Sequence, residues 1–242
     1  MPALNNPAGR LYSIMIEVRR APDNQLMRQV WAKIFGIAET NTRDILSVVI
    51  EMLGLLARTR KAIESRNDID QEPYLKPIAS IEEAFKLTNI DTQYVQFKRF
   101  LPDSVMTGLE FCSDKLARTM GEEMIEQSTL DELRTEVEAM ISEFLVMDID
   151  RSLMAVIIDH LEAIRQAILH YRINGASGLK RALDSGIGSL ARHREDLKKP
   201  ENRHWTGKLL TLLGRIDGYV ALAVGAKRLF GHVAELLQLG DK

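Results

Sequence analysis

The sequence predicts an all-α fold, a multi-helix bundle of roughly eight to ten helices, and three observations lead there. Apolar residues recur at three- and four-residue spacing along most of the chain. Leu, Ile, Ala and Met are plentiful while aromatic residues make up only 6%, a mixture poorly suited to sandwiches and barrels. The polar interruptions are short, as expected of helices of ordinary length joined by brief connections.

Each element can be justified in order. Near the N-terminus, Leu11, Ile14, Met15 and Val18 share a helical stripe. The alternation of Ile14, Ile16 and Val18 also fits a strand, but a lone strand has nothing to pair with, so a helix is expected. Between 40 and 66, Ile45, Val49, Met52, Leu56 and Ile63 form one stripe, and Leu46, Ile50 and Leu53 widen it. So broad a stripe predicts a helix contacted on two sides. After Pro102, Val105, Leu109, Cys112 and Leu116 repeat the spacing, with Gly121 as the stop.

The segment STLDELRTEVEAMISEFL opens with Thr129 followed by Glu132, a capping-box signature. Asp148 or Asp150 then caps a long helix reaching about Ile173, where Asn174-Gly175 ends it. Leu179, Leu183, Ile187 and Leu190 mark another helix. Polar breaks fall at 65–74, 88–91 and 195–203. The last contains Pro200 and divides the chain into a helical bundle domain, 1–195, and a C-terminal helical segment, 203–242, that packs on it or mediates assembly.

Charge is distributed unevenly. Residues 1–66 hold ten Lys/Arg against six Asp/Glu, 67–150 hold seven against nineteen, and 176–242 hold twelve against seven. The acidic middle either pairs with the basic ends or faces a charged partner. The single cysteine, Cys112, excludes an intramolecular disulfide and fits a reducing, cytoplasmic setting. The N-terminal residues lack a secretory pattern, and no apolar run is long enough to span a bilayer.

Arg165 and His170 are separated by four residues. This RxxxxH spacing resembles the motif of HEPN-type ribonucleases, compact helical bundles that dimerise and build a metal-independent site from Arg and His. The resemblance covers these two residues, Gln166 directly after the arginine, and the all-helical context. It implies that His170 would act as acid or base on the ribose and that Arg165 would hold the phosphate, as an RNA-cleaving toxin or defence effector. Helix geometry reads differently, because five positions turn a helix through about 500° and leave the two side chains about 140° apart. On that geometry they are a surface Arg and His at a helix end, where a cation is favourable.

His160 lies on the apolar face of the same helix and is expected to be a satisfied core histidine. Glu201 and His204 form a single ExxH, which is better read as helix capping than as half of a di-iron site. No phosphate-binding loop, dinucleotide fingerprint, nucleophile elbow or zinc-protease motif occurs, so no cofactor or metal is expected.

The C-terminal segment carries the strongest pattern. On one helix, Gly207, Thr211, Gly214, Gly218, Ala221 and Gly225 fall near one line. Each interior glycine costs roughly 0.5–1 kcal/mol, which close backbone packing can offset. Leu209, Leu212, Leu213, Ile216 and Val220 make the opposite face apolar as well. Such a helix is the centre of its bundle or a surface for another protein or a second copy of the chain, with interfacial membrane contact as a further expectation. Taken together, the sequence predicts a non-catalytic helical interaction protein, a regulatory, adaptor or accessory subunit, with Gly207, Gly214, Gly218, Ala221 and Gly225 as partner-binding positions.

Overall fold

The structure is a computed structural model describing residues 5–117 and 124–224, so Gly121 and Gly225 lie outside the described residues. Among these residues there are eleven α-helices, nine of seven residues or more, and no strand beyond an isolated bridge between Leu26 and Gln93. The chain divides into two compact units, Met1–Gly121 and Glu122–Lys242. The break at 195–203 lies inside the second unit.

The first unit contains α1 (Pro7–Arg19), α2 (Met27–Phe35), α3 (Thr42–Glu64), α4 (Glu72–Leu87), α5 (Tyr94–Lys98) and α6 (Asp103–Ala117). The ambiguous N-terminal segment is helical: Pro7 sits at the start, where its missing N–H costs nothing, and Asn6 caps it by accepting from the Gly9 amide at 2.9 Å. Asn6 also donates to the Ser113 carbonyl at 3.0 Å and so ties α1 to α6. α1 packs on α6 and α3, and α4 packs on both as well. Pro77 lies inside α4, and its ring rests on Gly108 of α6. A β-carbon on Gly108 would stand 3.0 Å from the Pro77 Cγ. Trp31, Phe85 and Phe97 cluster with ring centroids 5.3 to 6.1 Å apart.

The expectation that α3 is contacted on two sides is corrected here. Ile45, Val48, Met52, Leu55, Leu56 and Ile63 are buried, whereas Leu46, Ile50 and Leu53 are 44%, 66% and 45% exposed. The second half of the apolar surface is uncovered.

The second unit contains α7 (Gln127–Phe144), α8 (Arg151–Leu169), α9 (Tyr171–Arg192), α10 (Arg194–Leu197), a 3-10 turn at Pro200–Asn202 and α11 (Arg203–Val224). Thr129 does not cap α7, which begins two residues earlier after Glu126. Asp150 does cap α8, accepting from the Leu153 amide at 2.9 Å. The long helix expected to reach Ile173 stops at Leu169, with His170 as the joint. The chain does break at Asn174-Gly175: Gly175 has φ 64° and ψ −167°, a conformation essentially reserved for glycine. The 195–203 break is fastened to the unit by Asn202, which donates to the Asp196 carbonyl at 2.7 Å and accepts from the Trp205 indole at 3.2 Å. Trp205 in turn meets Phe144 of α7 edge-on at 5.2 Å.

Candidate functional site

Arg165 projects from α8 into a two-point ion pair with Glu162 one turn earlier, at 2.8 and 2.9 Å. The pair is itself partly covered, with 16% of the arginine side chain exposed. His170 is the shared residue between α8 and α9, and it is 5% exposed. The expectation of a surface histidine is corrected: the chain turns at His170 and again at Gly175, so Tyr171, Ile173 and Asn174 fold inward with it. A substrate phosphate would have to displace Glu162 from the guanidinium, and would reach His170 only after the joint opened.

His160 is buried as expected but not satisfied. It is 5% exposed and neither ring nitrogen makes a hydrogen bond. Its ring lies against α9 at Gly186, where a β-carbon would come within 2.1 Å of the His160 Cγ. Burial pushes its pKa down, opposed by the nearby carbonyls of Ala182 and Leu183. His160 therefore serves helix packing: its unpartnered ring fills a notch that only glycine leaves.

The small-residue stripe of α11 is graded along its length. Gly207 and Thr211 are exposed, with nothing within 4 Å of a β-carbon built on Gly207. Gly214 is half-buried, and Gly218 and Ala221 are buried. The opposite face, Leu209, Leu212, Leu213, Ile216 and Val220, is buried throughout, and α11 packs on α9 and α7. Lys208 reaches Glu143 at 2.9 Å and Arg215 reaches Glu136, so basic residues of α11 answer acidic residues of α7. That pairing accounts for part of the charge asymmetry within the unit. Exposed pairs of this kind orient more than they stabilise, at about 0–1 kcal/mol each.

Cys112 is fully buried in α6, its thiol donating to the Tyr74 carbonyl at 3.3 Å, and burial pushes its pKa up to about 12. Glu201 and His204 are exposed at the start of α11. Among the described residues no group of three or more His, Cys, Asp or Glu is placed to hold a metal ion, and no helix is long and apolar enough to cross a membrane.

The feature that the sequence analysis misassigned is the outer face of α3. Leu46, Ile50, Leu53 and Ala57 are all exposed and follow one another at spacings of four, three and four. That is the spacing of a coiled-coil seam, with Ile50 and Ala57 at a positions and Leu46 and Leu53 at d positions. Between the flanking Arg43 and Arg60, which take the next a and d positions, the seam carries no charge, and Ser47 and Gly54 beside it are small.

Compared with protein-family models, curated proteins and solved structures, the chain matches none.

Proposed function

We propose that this chain acts by protein–protein contact, and that α3 pairs in parallel with α3 of a second copy. The observation that carries this reading is the exposed seam of Leu46, Ile50, Leu53 and Ala57. Ile at a with Leu at d favours two parallel strands, and of the arginines at the flanking a and d positions Arg60 is held by Glu82 at 2.6 Å. Four seam residues fall well short of the roughly 800 Å² per partner of a standard interface. The association is therefore weak and concentration-dependent, as suits a regulatory, adaptor or accessory subunit working in a reducing, cytoplasmic setting. Gly207 and Thr211, the open end of the α11 stripe, are a second surface where close approach of a partner backbone costs little.

Light scattering on the full chain over a rising concentration series tests this. The mass is expected to climb from one chain toward two, and Ile50→Lys is expected to hold it at one chain with unchanged helicity. A wild-type mass of one chain at every concentration rejects the reading.

A further inference from the structure

We infer that the first unit holds a pocket for an organic cation carried on an aliphatic stem, the chemistry of an arginine side chain. The site is independent of the α3 seam. Ile69, Asp70, Pro73, Tyr74, Gly108 and Phe111 line a pocket of about 370 Å³ where the loop before α4 meets α6. This is within the usual range for small-ligand pockets, about 300–1,000 Å³. Phe111 is 59% exposed, an uncovered aromatic ring at the edge of a concave site. Tyr74 supplies a second ring and Ile69 and Pro73 supply apolar walls.

The charge of the site decides what it takes. Asp70 is its one ionisable carboxylate, and it has no ion-pair partner among the described residues. Its Oδ1 accepts only a long contact, 3.3 Å, from the Glu72 amide at the start of α4. Among the described residues, four cations of this unit are already engaged: Arg60 by Glu82 at 2.6 Å, Lys76 by Glu72 at 2.9 Å, Arg66 by Asp68 at 2.8 Å and Lys115 by Asp68 at 3.5 Å. The fold thus leaves one exposed carboxylate without an ion pair beside two aromatic rings. A guanidinium or alkylammonium satisfies both, pairing with Asp70 while lying over a ring face, and its stem takes the apolar walls. A neutral or anionic ligand gains no ion pair with Asp70.

Amide chemical shifts of the labelled full chain test this with three probes: butylguanidinium, its neutral isostere butylurea, and N-acetyl-arginine methylamide as a residue within a chain. The expected result is saturable shifts around Asp70 and Phe111 with both cations, at least tenfold weaker binding of butylurea, a tenfold or greater loss in Asp70→Asn and a several-fold loss in Phe111→Ala. Both substituted side chains are exposed, so the fold survives the changes. Tighter binding of the capped arginine marks a protein side chain as the natural occupant, and tighter binding of butylguanidinium marks a free small cation. Absence of saturable shifts with either cation, equal binding of butylurea, or undiminished binding by Asp70→Asn overturns the inference.

Discussion

The imidazole of His160 on α8 and the backbone of Gly186 on α9 approach so closely that any β-carbon at 186 would overlap the ring. Because the ring is enclosed, it cannot swing clear without opening the contact between the two helices. Gly186→Ala gains up to about 1 kcal/mol of helix propensity but meets an overpacking cost of about 1–3 kcal/mol or more. Net destabilisation of the second unit is expected. Urea unfolding of the variant beside the wild type checks it, and an unchanged or raised midpoint would contradict the contact.

The same burial makes stability depend on pH. His160 has a folded-state pKa below its unfolded value of about 6.5, so the folded protein keeps the ring neutral where the unfolded chain binds a proton. The stabilisation is complete above about pH 6.5 and falls as pH drops toward the folded-state value, by up to about 1.4 kcal/mol per pH unit. His160→Leu removes this slope. Urea midpoints between pH 7.5 and 5.5 are expected to fall less steeply in the variant, and parallel falls would remove His160 as the cause.

Two capping residues separate the sequence pattern from the structure that forms. Asp150 receives the Leu153 amide at 2.9 Å, so Asp150→Ala is expected to cost about 1 kcal/mol. Thr129 lies within α7 and caps nothing, so Thr129→Ala is expected to change stability by less than about 0.5 kcal/mol. Thermal unfolding of both variants tests the difference.

Cys112 is fully buried with its pKa pushed up to about 12, so almost none of it is thiolate at pH 8. The native chain is expected to resist iodoacetamide and to react fully once unfolded in urea. Rapid native alkylation, read by mass spectrometry, would mean that α6 opens locally.

Most helices were legible because their apolar stripes are also their buried stripes, as for Leu153, Ile157, Leu161 and Ile164 on α8. The stop at Asn174-Gly175 was legible because only glycine takes the conformation Gly175 adopts. His170 was misread for a tertiary reason: helical periodicity assigns a side chain to a face only while the helix continues, and here it ends one residue earlier. Periodicity also cannot tell a covered apolar stripe from an open one, which is why Leu46, Ile50 and Leu53 read as a second buried face. The α11 stripe shows the same limit, since one row of small residues runs from exposed Gly207 to buried Gly218. The pocket at Asp70 was not legible, because it depends on which cations are already paired across α3, α4 and α6.

The most direct test of the α3 pairing is covalent capture. In a parallel seam Ile50 of one copy lies opposite Ile50 of the other, and Cys112 is too deeply buried to compete. Ile50→Cys is expected to form a disulfide-linked dimer under mild oxidation. Leu222→Cys, 68% exposed on α11 of the second unit, is expected to stay largely monomeric at the same concentration. Equal yields from the two variants, or none from Ile50→Cys, would contradict the account.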